Sequence, residues 1–285
     1  VKIWVVAKDG LVGKEMCKFL KEKGVSYFGT GRKEGDICNP TLLEEVYQKE
    51  KPTHIINCSA NVHVDKAEME EAGLAYDINV LGVMNLAELA KKHKIHLVHI
   101  STDYVFDGEM ERDYLENDPV SPINVYGRTK QEGEEKMLKI YPKACSIRTA
   151  SLYGSAKPGL VFFILKGLQE ESKMQHISDQ ISNPTYVKDL VRAIYDLKEE
   201  SGIFHFVNKG AVSRVGLVEE IKRQAEKRGM KLKCKEIVGV TRCESKRPAI
   251  RPKRSALSTS KVEKHLTFPI RTWQEAVSAY LDEIA

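Results

Sequence analysis

Between residues 2 and 150, short β-branched runs alternate with amphipathic stretches of helical period, and this alternation constrains the fold more than any other feature. Strands separated by a helical crossover pair in parallel, so the pattern predicts an α/β chain with a doubly wound parallel sheet. The strands are expected at residues 2–7, 25–28, 53–58, 96–100 and 144–149, with 202–208 as a last one. The first helix should bury Val12, Met16, Phe19 and Leu20, and a helix over 76–92 should carry Ile78, Leu81, Leu86, Leu89 and Ala90 inward. Further on, helical segments are expected at 159–169, 187–194, 215–227 and 258–266. A final helix should bury Trp273, Ala276, Val277, Tyr280, Leu281 and Ile284. The expected division is one domain of residues 1–154 plus about 176–208, and a smaller C-terminal α/β lobe of about 155–175 plus 209–285 over the carboxyl ends of the strands.

Chemistry-bearing residues gather where the fourth strand ends, the place at which open α/β sheets bind ligands. That strand runs into Ser101-Thr102-Asp103-Tyr104, and a Pro-punctuated loop leads to a helix expected to start at Pro122. Tyr126 and Lys130 stand four residues apart on this helix and share a face. An ammonium near a phenol favours the phenolate, so Lys130 is expected to draw the Tyr126 pKa down from about 10. Such a phenol could donate or accept a proton, and Thr102 could hydrogen-bond a developing oxyanion.

Between the first strand and first helix lies Lys8-Asp9-Gly10-Leu11-Val12-Gly13. Glycines in such a turn let the backbone approach a pyrophosphate, and the helix N-terminus adds N–H groups and a positive dipole. Ala7, Gly10, Leu11, Val12 and Gly13 are the candidate contacts. After the second strand stands Arg32, with Lys33 beside it. An acid here would bind a ribose 2′-hydroxyl, whereas an Arg suits a 2′-phosphate, so NADPH is expected ahead of NADH.

The net charge of +5 is concentrated in one segment, where Arg242, Lys246, Arg247, Arg251, Lys253 and Arg254 oppose Glu244 alone. One basic loop on a balanced body suggests a local anion site rather than a nucleic-acid track, so no nucleic-acid partner is expected. Arg251 is the candidate for a diphosphate, because a guanidinium can hold phosphate oxygens in bidentate fashion. No apolar run approaches the ~20 residues of a membrane span. The six Cys show no C-x-x-C pair and sit mostly in apolar runs, which predicts buried free thiols and a reducing cytoplasm. His63 and Asp65 lack a third ligand nearby, so no metal is expected.

Residues 101–108, Ser-Thr-Asp-Tyr-Val-Phe-Asp-Gly, and 124–130, Asn-Val-Tyr-Gly-Arg-Thr-Lys, resemble the extended short-chain dehydrogenase/reductases. The resemblance is greatest to the dTDP-4-dehydrorhamnose reductase family, and it extends over most of the chain. It implies a Rossmann-type fold and an oxidoreductase of dTDP-rhamnose biosynthesis that reduces a nucleotide-linked 4-keto-deoxysugar with NADPH. By the same resemblance Thr102, Tyr126 and Lys130 form the catalytic triad, with Lys130 also on the nicotinamide ribose. Asp36 and Ile37 would lie along the adenine, and Cys58, Ser59 and Ala60 beneath the nicotinamide. Thr102, Asp103, Ser151 and Arg251 would face the nucleotide-diphosphate sugar. Asn79 matches a family Asn credited with holding backbone near the catalytic Lys. Some members dimerise, so a homodimer is the expected assembly.

Ser151 stands where many of these reductases carry a Trp that packs on the sugar, which leaves the sugar open. The same resemblance covers the regulatory β subunit of methionine adenosyltransferase, a non-catalytic NADP-binding relative that also lacks this Trp. An epimerase or dehydratase with tightly held NAD is disfavoured by Arg32 and by Thr-Asp, rather than Thr-Glu, at 102–103.

Overall fold

Six parallel strands form the central sheet of the computed structural model, which describes residues 1–284. They are β1 (Lys2–Val6), β2 (Ser26–Thr30), β3 (His54–Asn57), β4 (His96–Thr102), β5 (Cys145–Thr149) and β6 (Gly202–His205). Across the sheet the order is β6-β5-β4-β3-β1-β2. The chain steps outward from β1 to β2 and then returns to place β3 on the other side of β1. A crevice therefore opens between the carboxyl ends of β1 and β3, where the direction of winding reverses. Val6 is in register with Asn57 there, and Thr102 with Thr149 two strands on.

Both faces of the sheet are covered, so β1, β3 and β5 are buried along nearly their whole length. Ile3, Val5, Ile56 and Val98 pack against Met16 and Leu20 of α1 (Leu11–Glu22) and Leu190, Val191 and Ile194 of α6 (Val187–Asp196). Trp4, Val6, Ile55 and Leu97 point the other way. They meet Leu43 of α2 (Pro40–Glu50), Val83 and Leu86 of α3 (Gly82–His93) and Met137 of α4 (Val125–Ile140). The smaller lobe joins α5 (Leu160–Glu170), α7 (Arg214–Lys227) and α8 (Trp273–Ile284) with a parallel pair, Lys173–Ile177 and Glu236–Val240. Its core holds Tyr153, Leu168, Tyr186, Leu217, Ile221, Trp273 and Tyr280.

Several local expectations are corrected. The helix expected over 76–92 is interrupted by a π-turn at Asp77–Leu81, whose extra residue rotates the side chains that follow. Asn79 and Val80 thereby point inward, and Leu81 turns out to 41% exposure. Helix α4 begins at Val125, past Pro122, because the Asn124 side chain caps it by accepting from Gly127 N–H at 2.7 Å. Only Val262–His265 of the segment 258–266 is helical, as a 3₁₀ turn. Ile284 ends on the exposed side of α8. All six Cys are free, but Cys38 and Cys243 are exposed rather than buried.

Val262 and Ile270, far along the chain, join this core on the side of β6, where Lys261 Nζ donates to Ile203 O at 2.6 Å and the His265 ring meets Phe204 edge-on. We propose two folding units with the boundaries above, the stretch 258–270 returning from the second to close the first. Among the described residues no helix is long and apolar enough to cross a membrane.

Candidate active site

The turn after β1 is held open by its backbone. Ala7 takes φ 60°, in the left-handed region, and its carbonyl accepts from Gly10 N–H at 3.0 Å. A Cβ on Gly13 would lie 2.2 Å from the Ala7 carbonyl oxygen, so only glycine lets α1 start this close to the strand. No side chain caps α1 and no acid stands in its first turn. Its first N–H groups and positive dipole end are thus left for an anion.

Beside this turn, β2 runs out into Gly31, whose N–H donates to Glu34 Oε2 at 2.6 Å. Lys8 Nζ reaches the other oxygen of Glu34 at 3.3 Å. The Gly31 N–H, and then Lys8, hold the Glu34 carboxyl below its ordinary range. Arg32 is largely exposed, with Nε 3.4 Å from Asp36 Oδ2. Glu34 is a feature the sequence reading missed; nothing in the spacing signalled that an acid would fold back onto the end of its own strand.

The reacting end forms where β4 and α4 meet. A Cβ on Gly127 would fall 2.2 Å from the Tyr104 carbonyl oxygen, so the helix lies directly against the backbone after β4. Thr102 Oγ1 accepts from Tyr104 N–H at 3.2 Å and donates to Asp103 Oδ1 at 3.1 Å. Ser255 Oγ donates to Asp103 Oδ2 at 2.5 Å. Burial raises the Asp103 carboxyl to about 6 against the pull of these two hydroxyls. The Tyr126 ring meets Tyr104 edge-on, with centroids 6.0 Å apart.

Burial pushes the Tyr126 phenol above its ordinary value; the Thr102 hydroxyl opposes this, and Asp103 and Tyr104 add to it. The downward pull expected from Lys130 is therefore not what the fold delivers. Lys130 is itself buried and turned toward β4, where Nζ lies 2.7 Å from Ile100 O and 3.0 Å from His99 Nε2. Desolvation brings it down to about 7, with Glu134 pulling up. Asn79, on the π-turn, accepts from Asn61 N–H at 2.9 Å and donates to Thr129 Oγ1 at 3.0 Å, tying the loop after β3 to α4.

These parts line one cavity of about 710 Å³. Its wall includes Ala7, Gly10, Leu11 and Val12 at the turn, Arg32, Asp36 and Ile37 at one end, and Cys58, Ser59 and Ala60 from the loop after β3. Thr102, Asp103, Tyr126, Lys130 and Ser151 line the rest of it. Gly13 lies behind the turn and sets its shape. The open helix end, the cation-bearing loop and the length of the cavity fit a dinucleotide.

Arg251 is not in that wall. Its guanidinium is closed on Asp65, with Nη2 2.6 Å from Oδ2 and Nη1 on Oδ1, so the short helix Val64–Met69 takes the charge offered to a phosphate. On the lobe side the guanidinium at the cavity is that of Arg214, at the start of α7, with Lys157 in the same wall. Burial draws Arg214 below its ordinary value, and among the described residues no carboxylate forms an ion pair with it. A lone Arg after a Ser N-cap carries no sequence signal of this position. Ser151 has φ 46° and shares a hydrogen bond with Ser182 Oγ at 2.9 Å. Among the described residues no cluster of three or more His, Cys, Asp or Glu could hold a metal ion.

Comparison with known proteins places this geometry among relatives. The family described as RmlD substrate binding domain matches residues 1–285. A dTDP-4-dehydrorhamnose reductase of Aggregatibacter actinomycetemcomitans is 30% identical over 285 residues, 97% of this chain and 97% of that protein. The crystal structure of a dTDP-4-dehydrorhamnose reductase from Clostridium acetobutylicum aligns with a TM-score of 0.93 at 35% identity, over 100% of this chain and 99% of that one. The Bacillus anthracis dTDP-4-dehydrorhamnose reductase, crystallised in complex with NADP, gives 0.92 at 30% identity, over 99% of each chain.

Proposed function

This chain belongs to the RmlD substrate binding domain family, and on that premise we propose that it reduces the 4-keto group of a nucleotide diphosphate-linked deoxysugar with NADPH. It is an oxidoreductase acting on a keto group. The observation that carries the finer reading is that Thr102, Tyr126, Lys130 and the open end of α1 share one cavity. The cofactor, when bound, supplies the hydride. Leu11 and Val12, at the start of α1, hold its pyrophosphate with backbone N–H groups beside Gly10, and Arg32 stands where a 2′-phosphate would be met.

Tyr126 is the proton donor to the oxygen of the keto group. Its raised pKa suits the reductive direction, because the phenol keeps its proton until negative charge develops beside it. Thr102 turns its hydroxyl from Asp103 to the same oxygen, and Lys130 holds the nicotinamide ribose. We assign the diphosphate to Arg214 rather than Arg251, because Arg214 is the unpaired guanidinium in the wall. Ser151 and Ser182 leave a small polar surface for the sugar.

The test is NADPH oxidation by the purified chain with dTDP-4-keto-6-deoxysugars, followed by loss of absorbance. Turnover that falls when Tyr126→Phe is introduced supports the reading. A chain that binds NADPH, reduces none of these sugars and alters the activity of a methionine adenosyltransferase would replace it with the regulatory one.

A further inference from the structure

Asn57 and His99 are register partners on β3 and β4, and both are fully buried. Ser59 orients the Asn57 carboxamide, since its N–H and its hydroxyl both donate to Oδ1, at 3.0 and 2.5 Å. Asn57 Nδ2 therefore faces His99 Nδ1, at 3.0 Å. A carboxamide nitrogen only donates, so Nδ1 must accept, and the neutral imidazole then carries its proton on Nε2. Nε2 in turn faces Lys130 Nζ at 3.0 Å, and an ammonium also only donates. Two donors cannot satisfy one contact. With Ile100 O already taking one N–H of Lys130 at 2.7 Å, the network closes only if Nζ presents a lone pair to Nε2–H.

We propose that His99, oriented by Asn57 and Ser59, is a positioning residue that donates Nε2–H to Lys130 and holds it as the neutral amine. The surroundings act in the same direction. Burial draws Lys130 down to about 7 and His99 well below its ordinary value. Glu134, one turn along α4, is the charged group that pulls Lys130 back up, and its carboxylate is engaged by Arg148 Nη2 at 2.6 Å and Ser146 Oγ at 2.7 Å. Tyr126 is the other titratable group of that helix in the cavity wall, Asp103 lies just past the end of β4, and β3 brings the uncharged Asn57 to His99. The inference rests on the reading of Lys130 as part of the site, but its test needs no turnover, so the two can fail separately.

The experiment titrates the whole chain, labelled with ¹³Cε-lysine, by NMR from about pH 5.5 to about 10.5, a span that brackets both neutral and ordinary lysine titrations. The Lys130 resonance is identified by its disappearance in Lys130→Met. The expected midpoint is about 7. His99→Gln supplies a carbonyl oxygen that can accept from an ammonium, and should move the midpoint up by at least about one unit, tenfold in the protonation equilibrium. Asn57→Leu removes the donor that fixes the tautomer and should move it the same way, so it decides the matter alone if His99→Gln does not fold. A midpoint near the ordinary lysine value of about 10.4 in the parent chain, or one that neither variant moves, overturns the proposal.

Discussion

The cavity has two walls of different construction. On the sheet side, the residues stand at strand ends and helix starts, and backbone contacts fix their positions: Gly127 against Tyr104, Lys130 against Ile100, Asn79 against Asn61. On the lobe side, Arg214 and Lys157 are side chains reaching in from a helix start and from a loop. The first wall can hold reacting atoms at fixed distances, which proton transfer requires. The second can change its residues without moving the first. Chemistry and substrate choice are therefore separable here, and mutations should divide along the same line.

The largest effect belongs to the sheet wall. Tyr126→Phe keeps the ring and removes the hydroxyl, and should lower kcat about 10²–10⁴-fold with NADPH affinity nearly unchanged. Full-rate reduction by this variant, in a stopped-flow or steady-state assay, would break the assignment.

Asp103 joins the walls through Ser255, and its test is thermodynamic. Its folded pKa, about 6, lies above the ordinary aspartate value of 3.8. The folded chain thus binds this proton more tightly than the unfolded one. Stability from this group is present below the unfolded value and is lost as pH rises through the folded one. Asp103→Asn should accordingly stabilise the chain at pH 8 by roughly 2–3 kcal/mol, and the gain should vanish near pH 4. Thermal melts of both proteins at the two pH values decide it; a gain of equal size at both would remove the ionisation from the explanation.

On the lobe wall, Arg214→Ala should raise KM for the nucleotide sugar about 10–100-fold, the loss of one charge-assisted contact, while the NADPH Kd stays put. Arg251→Ala sharpens the contrast. Its partner Asp65 is 37% exposed, so only about 1–2 kcal/mol of stability should be lost, with little change in KM. If the two variants exchange these effects, the diphosphate lies against the basic loop after all. The smallest change is expected at the turn, where Ala7→Gly relieves a left-handed alanine and should stabilise by about 1 kcal/mol, read as a rise in Tm.

The same division explains what was legible in the sequence. The parallel sheet, the glycine turn and the Thr102–Tyr126–Lys130 set follow from periodicity, short spacings and strand ends, because local backbone geometry decides them. The π-turn at Asp77–Leu81 was not legible, since one extra residue in a helix leaves the apolar pattern nearly intact. Nor were the partners of Arg251 and Arg214. Asp65 and Arg251 meet across 186 positions of sequence, and no local pattern records which of several arginines in a basic stretch that acid will capture. His99 reads from sequence as a residue within a buried strand, and its meaning comes only from the neighbours that the sheet register brings to it.

Val262 and Ile270 join the core beside β6, which bears on how the chain comes to be folded. All six strands are complete by residue 205, and α1 and α6 already cover most of that face, yet its β6 end waits for residues near 262–270 to arrive. Contacts of such long sequence separation form late and leave apolar surface open meanwhile. On a ribosome, the nascent sheet would spend the synthesis of about sixty more residues, several seconds at ordinary elongation rates, with that end of the face uncovered. A fragment ending at residue 208 should therefore carry every strand and most of the triad's surroundings and still be retained by chaperones or aggregate.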